Sequence, residues 1–363
     1  MCLTGWLGAL WRNRFAVGPR QLHFAVMATL MSPVTSLLGS MQRMLYDAKA
    51  GQIELKPAPL VIVGHWRSGT TLLHELLARD PRHSFPNTYE CMLPSHCVLT
   101  PRWGKRILKW TMPDERAMDA MPVGWDRPQE DEFALCNLGI RSPYLWIAFP
   151  NGSYDRDWES LETLAAADRE RWKTALRKFL QGVTLTRPGR LVLKTPLHSF
   201  RIPILRELFP DGRFLHIVRH PAAVFRSTIR LWTAMHRQHG YQTPRYDDLE
   251  EHVLATGERM FRALLQAKER LPANRLCEVK YEDLVQNPEP ALRRIYSELE
   301  LGEFDPAAAG IRAYLSETQG HQTRTRVSAE DLAAVRDRWA FFYERHGYNL
   351  RESEDVEPAQ ATK

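Results

Sequence analysis

Residues 60–76 read Leu-Val-Ile-Val-Gly-His-Trp-Arg-Ser-Gly-Thr-Thr-Leu-Leu-His-Glu-Leu, and this run has the order of an anion site. A short apolar strand, Leu60 to Val63, enters a loop bounded by Gly64 and Gly69, and a helix begins near Thr70. Such a loop turns successive backbone N–H groups inward, and the dipole of the following helix favours negative charge at the same place. The spacing Gly64-x4-Gly69 is that of a nucleoside-triphosphate loop, with Thr71 at its Ser/Thr position. Thr70, however, stands where that loop has the lysine that reaches the outer phosphates. The nearby cation is Arg67, whose planar fork suits two anionic groups at once. The run therefore reads as a cradle for a phosphate-like group other than a Mg-bound triphosphate.

A second segment repeats the pattern. Gly212 to Pro221 (Gly-Arg-Phe-Leu-His-Ile-Val-Arg-His-Pro) is a strand running into a turn, and Ala222 to Trp232 reads as a helix with Pro221 at its first position. Arg219 and Ser227 lie eight residues apart, so a strand-end guanidinium and a helix-borne hydroxyl can converge on one phosphate. With these motifs in this order the chain resembles the sulfotransferases that use 3′-phosphoadenosine 5′-phosphosulfate (PAPS). Arg67-Ser68-Gly69-Thr70-Thr71-Leu72 is similar to their 5′-phosphosulfate loop, which implies donor contacts from Arg67, Ser68, Gly69, Thr70 and Thr71. The resemblance makes Arg219 and Ser227 the 3′-phosphate pair. Val279-Lys280-Tyr281-Glu282-Asp283-Leu284 resembles a segment of the tyrosylprotein and related bacterial branch, which implies a donor contact from Tyr281. One position departs from the pattern: where some relatives have a further Arg four residues after the Ser, this chain has Leu231, with Arg230 one residue earlier.

The implied reaction moves a sulfuryl group from PAPS to a hydroxyl or amine. It needs a base for the acceptor proton, an in-line arrangement, and cations for charge on the oxygens of the transferring group. No metal is needed where basic side chains supply the last of these. Arg67 is one such cation. Lys194, in Leu193-Lys194-Thr195-Pro196-Leu197-His198, is a second, because bacterial relatives carry a similar Lys-Thr/Ser-Pro-x-His segment. Three sources of a base stand open. His198 lies just past a strand end and has a side chain suited to proton removal near neutral pH. Glu90 falls within a residue or two of a base used by some relatives, and the acidic run Glu130-Asp131-Glu132 resembles a segment of the bacterial branch. Arg324 and Arg326 lie where family members cover the donor with basic residues. The rival readings are a nucleotide kinase or NTPase with a degenerate loop, and a nucleotide-binding protein without catalysis. The missing loop Lys and the lack of a clear strand-end Asp for Mg2+ weigh against the first.

These residues need a frame that brings strand ends together. Short β-rich runs mark strands at Leu60–Val63, Arg190–Lys194, Phe214–Val218 and Leu276–Val279. Between them lie helical patterns at Thr70–Arg79, Trp158–Gln181, Phe200–Leu208, Ala222–Met235, His252–Arg270 and Pro288–Glu300, with a last helix at Ala329–Arg345. Strands alternating with long crossovers predict an α/β fold, a P-loop-like doubly wound parallel sheet flanked by helices. Ligands in such sheets bind beyond the strand carboxyl ends, where both Gly64–Thr71 and Arg219–Ser227 begin. The expected organisation is a helical N-terminal extension over 1–56, the α/β domain over 57–350, and a polar, disordered tail over 351–363. Residues 81–150 read as a substrate-facing insertion whose Trp103, Trp110, Trp125, Tyr144 and Trp146 either line an apolar or sugar pocket or pack a helical cap.

In the N-terminal segment Phe24 to Met41 is free of charge, but serines and Pro33 dilute it. Pro33 is expected to break the helix. Two amphipathic helices meeting there would pack on the core, cover the substrate site, or make peripheral contact with a membrane. The formal charge of +6 favours anionic ligands or an anionic surface, while dispersed basic residues and the lack of a nucleic-acid motif argue against nucleic acid. Five cysteines without a C-x-x-C pair point to a reducing, cytoplasmic setting and away from a metal site at Cys91, His96 and Cys97. The acceptor is left open among small molecules, carbohydrates and lipids.

Overall fold

The computed structural model describes residues 1–111, 123–318 and 328–348. Its centre is a sheet of five parallel strands: β1 (Leu60–Val63), β2 (His83–Ser84), β3 (Arg190–Lys194), β4 (Arg213–Val218) and β5 (Leu276–Lys280). The spatial order is β2-β3-β1-β4-β5. A strand buried on both faces must be apolar throughout, and all four residues of β1 are buried. Alternate side chains serve opposite faces. Val61 and Val63 join a core with Trp172, Phe261 and Trp339, whereas Leu60 and Ile62 join one with Leu73, Leu76 and Tyr296.

The chain runs from β1 outward to β3 on one side and then crosses back to β4 on the other. The carboxyl end of β1 is thus a topological switch point, where loops diverge and leave a crevice. The carboxyl ends of β3 and β4 flank it. The expected strands are all present, with β4 beginning at Arg213 and β5 ending at Lys280. Sequence reading missed β2, a two-residue edge strand of His83 and Ser84 with no apolar pattern to reveal it. The helix expected over Trp158–Gln181 is broken: Leu161 adopts a left-handed φ of 67°, separating Asp157–Ser160 from Ala166–Thr186.

The N-terminal segment folds as an antiparallel hairpin of α1 (Leu3–Arg12) and α2 (Leu22–Gly51). Pro33 does not break α2, contrary to expectation; the break falls earlier, where Arg14 and Phe15 take φ of 53° and 55° before Gly18 and Pro19. Proline frees the carbonyl four residues back. That carbonyl, on Thr29, accepts a hydrogen bond from Ser32 Oγ at 3.2 Å, and the pyrrolidine ring lies on an exposed part of the helix. All five cysteines are free thiols. The tail 351–363, with Arg324 and Arg326, lies outside the described residues.

Candidate active site

The first wall of the crevice is the loop between β1 and α3 (Thr70–Leu77). Three of its residues have positive φ: Gly64 at 146°, Arg67 at 67° and Gly69 at 103°. The glycines are sterically required. A Cβ on Gly64 would stand 2.7 Å from the Ile217 carbonyl of β4, and one on Gly69 would overlap the Tyr281 ring. Ser199 clamps the start of the loop, accepting from Gly64 N at 2.8 Å and donating to Gly64 O at 3.2 Å. Ser68 tightens the turn: its N–H and its hydroxyl both donate to His65 O, at 3.2 and 2.7 Å. In this state its donors therefore serve the loop itself. Arg67, a non-glycine residue held in a costly conformation, aims its guanidinium across the crevice.

The second wall comes from β4 and the helix Pro221–His239. Arg67 Nε donates to Ser227 Oγ at 2.9 Å, and Arg219 donates to the Arg67 carbonyl at 3.3 Å. The Arg219 guanidinium lies 4.1 Å from the centre of the Tyr281 ring, whose other neighbour is Gly69. Residues from three distant segments thus form one cationic, aromatic-backed surface. Burial lowers the Arg219 pKa, and repulsion from Arg67 adds to the effect. Arg230 is lowered in the same way, by burial and then by repulsion from Arg226 and Arg67. Cations pressed together like this favour a multivalent anion between them. Arg230 is a cation that the motif spacing left unassigned; it stands one helical turn after Ser227 and keeps an exposed side chain.

The third wall is a ladder of three consecutive acids against three bases. Glu130 accepts from Lys194 Nζ at 2.7 Å. Asp131 Oδ2 lies 2.8 Å from His198 Nε2, off the axis of a good hydrogen bond, with both side chains fully buried. Glu132 pairs with Arg201, again with both fully buried, and accepts from Ser142 Oγ at 2.5 Å. Burial pushes the Asp131 carboxyl up, but the His198 charge, with a smaller pull from Arg201, outweighs it and holds the group below the ordinary aspartate value. Only the first rung touches the crevice. Glu130 retains 14% of its side-chain exposure, and Lys194 also donates to Thr71 Oγ1 of α3 at 3.4 Å. Tyr144 donates to Glu130 and contacts Thr195 Oγ1 at 3.2 Å, and burial ahead of the Glu130 charge raises its phenol well above the ordinary value.

The sequence candidates therefore separate. Arg67, Gly69, Thr71, Lys194, Arg219, Ser227 and Tyr281 are joined by contacts around one crevice. Thr70 is buried in the first turn of α3. His198 is sealed inside the second rung, with no accessible surface through which to meet an acceptor. Glu90 is fully engaged elsewhere. It closes a capping box with Asn87, its Oε2 accepting from Asn87 N at 2.8 Å, and pairs with Arg187 at 2.9 Å. Burial raises its pKa despite that arginine. Tyr144, one of the insertion aromatics, and Arg201 are neighbours of this wall; the sequence did not announce Arg201, whose signal was the 194, 198, 201 spacing of bases facing three adjacent acids. The insertion aromatics divide too: Tyr144 lines the ladder, Trp146 packs against Trp232 and His236, and Trp103 is exposed.

A sequence model of the sulfotransferase family matches residues 59–306. The chain is 41% identical over 349 residues to omega-hydroxy-beta-dihydromenaquinone-9 sulfotransferase Stf3 of Mycobacterium bovis and of Mycobacterium tuberculosis, covering 95% of this chain and 89% of theirs. Among solved structures it is similar to sulfotransferase STF9 from Mycobacterium avium, with a TM-score of 0.73 at 20% identity over 91% of this chain and 86% of that one. Sulfotransferase STF1 from Mycobacterium tuberculosis gives a TM-score of 0.61 at 18% identity, over 93% and 90% of the two chains. These two structural likenesses speak to the fold.

Proposed function

Because this chain belongs to the sulfotransferase family, we propose that it carries a sulfuryl group from PAPS to a hydroxyl on an apolar, quinone-type lipid, with Glu130 as the base. Family membership disposes of the phosphoryl-transfer alternative. The observation that carries the catalytic reading is Lys194, whose ammonium bridges Thr71 of the anion loop and the Glu130 carboxylate. One cation thereby couples the donor cradle to the one ladder carboxylate that reaches the crevice. The loop amides, Arg67 and the N-terminus of α3 would receive the 5′-phosphosulfate, and Arg219, Ser227 and Arg230 the 3′-phosphate. Tyr281 backs the Arg219 guanidinium.

In the transfer the acceptor oxygen forms a bond to sulfur while the bond from sulfur to the bridging phosphate oxygen breaks. The acceptor proton passes to Glu130, and the electron pair stays on the 5′-phosphate of the departing 3′,5′-ADP. Lys194 and Arg67 counter the charge that builds on that oxygen. His198, fully buried, meets Asp131, the chain neighbour of Glu130, at 2.8 Å, which makes His198 a positioning residue. The relatives at 41% identity are omega-hydroxy-beta-dihydromenaquinone-9 sulfotransferases, and a lipid acceptor of that kind agrees with the apolar N-terminal hairpin. An acceptor of that kind resides in a bilayer, so the enzyme would work from the cytoplasm against a membrane surface.

Titration calorimetry tests the donor assignment: the protein should bind adenosine 3′,5′-bisphosphate without metal and well above ADP with Mg2+. A preference for ADP–Mg2+ would sink it.

A further inference from the structure

The polarity of α2 is inverted. Its buried residues are the small Ala25, Ser32, Thr35 and Gly39, while Met27, Leu30, Val34, Leu37, Met41 and Met44 face outward. Leu30 is 69% exposed, Leu37 64% and Met44 79%. Among the described residues every exposed large hydrophobic side chain lies within residues 7–45 or on the neighbouring helix Pro101–Ile107. A soluble helix turns the other way, because outward apolar surface costs about 25 cal/mol per Å2 in water. We infer that the outer face of α2, with the exposed apolar residues of Pro101–Ile107, lies in the interfacial layer of an anionic bilayer, its axis along the membrane plane.

Three observations select this occupant. The first is charge: residues 1–46 carry Arg12, Arg14, Arg20 and Arg43 and no carboxylate, and the nearby 101–109 carry Arg102, Arg106 and Lys109 with no acid, besides Lys105, which pairs with Asp126. A basic rim around an apolar face is the pattern that anionic lipid headgroups complement. The second is width. The stripe 27-30-34-37-41-44 alone would suit a helix–helix seam, but Val26, Met31 and Leu45 are exposed as well. At 3.6 residues per turn, with Leu22 and Phe24 exposed too, the apolar arc spans roughly 200°, more than a coiled-coil seam uses.

The third observation is the inner side, which distinguishes lying on a membrane from crossing it. By length and mean hydropathy the segment Pro19–Gly51 could span. Yet Thr29 Oγ1 accepts from Trp6 Nε1 at 2.8 Å, Ser36 Oγ from Leu3 N at 2.8 Å, and Gln42 Oε1 from Val98 N and Leu99 N at 2.8 and 3.1 Å. Near its end Asp47 pairs with Lys178 at 3.3 Å. Crossing would strip these polar bonds in hydrocarbon, where each loss is costly; lying flat keeps them all.

This inference rests on the lipid-acceptor reading for the source of the substrate, but its test uses neither donor nor acceptor. Full-length protein is floated with phosphatidylcholine vesicles with and without phosphatidylglycerol. We expect flotation with the anionic vesicles, weakened by salt, and partition more than about tenfold weaker for the Leu30→Glu, Leu37→Glu double variant. Binding of 3′,5′-ADP by that variant should stay at the parent level. Its loss would point to a fault in the fold or the donor site and leave the membrane question to a second variant. That variant, Leu37→Trp, should show blue-shifted emission on vesicles and be quenched by lipids brominated near the headgroup. Equal flotation of parent and double variant overturns the proposal. So does quenching from the bilayer centre, which means spanning, or a dimer in light scattering that the double variant dissociates, which means a second copy covers the face.

Discussion

The loop Gly64–Thr71 holds its shape with backbone: two glycines at positive φ, a strained Arg67, and a serine bonded to its own turn. The ladder Glu130–Glu132 holds its shape with charge, two of its three rungs fully buried. Both walls face the same crevice and share Lys194. The contrast separates two ways of fixing a catalytic group. Backbone cradles are written in a few adjacent residues and bind whatever anion fits; buried ion pairs join distant segments, and leaving one partner without the other is expensive. The ladder thus looks built to hold Glu130 rigid at the crevice rather than to add net stability.

The sharpest way to break this comparison is to neutralise the exposed rung. Glu130→Gln should lower turnover by about a hundred- to ten-thousand-fold, the range for a general base, with 3′,5′-ADP affinity unchanged in calorimetry. Should His198→Gln cost more turnover than Glu130→Gln, the base assignment moves to the second rung. Arg201→Met strands Glu132 without its buried partner and should cost about 3–5 kcal/mol in urea unfolding. A loss of only a few tenths would mean that the third rung is not a rigid anchor.

On the wall proposed to take the donor, Ser227→Ala removes the hydroxyl that meets Arg67. It should weaken 3′,5′-ADP binding by about 1.5–3 kcal/mol, the scale of a hydrogen bond to a charged group, with the melting temperature nearly unchanged. Unaltered affinity would remove Ser227 from the donor site. The smallest effect concerns acid. A carboxyl whose folded pKa is depressed, as in Asp131, contributes stability above its unfolded pKa and loses that contribution as pH falls through the folded value. His198→Gln takes away the main charge holding that pKa down. Its acid unfolding midpoint, followed by circular dichroism, should therefore move to higher pH than that of the parent; a shift toward lower pH contradicts the pairing.

The glycine loop and the cations around it were legible in advance because their information is local. Gly64, Arg67, Gly69 and Thr71 sit within eight residues, and Arg219 with Ser227 spans one strand end and the following helix. The three acids of the ladder and two of its bases, Lys194 and His198, were visible as separate runs, but Arg201 and the pairing were not: Glu130 and Lys194 are 64 residues apart, Glu132 and Arg201 69. His198 looked like a base because of its side-chain chemistry, and its total burial depends on what packs over it. Glu90 shows a related dependence, since a capping box uses the same Glu that catalysis would. In α2, helix breaking by Pro33 was expected from the lost N–H, and a single Ser32 hydroxyl meets the freed carbonyl instead.

The sequence by itself determined the strand–loop–helix units, their parallel arrangement and the anion chemistry at their ends, because period, glycine spacing and charge act over a few residues. The tertiary structure alone decided which carboxylate reaches the crevice and which side of α2 meets the protein. Burial belongs to a residue's surroundings, and those are assembled from segments that the chain order keeps apart.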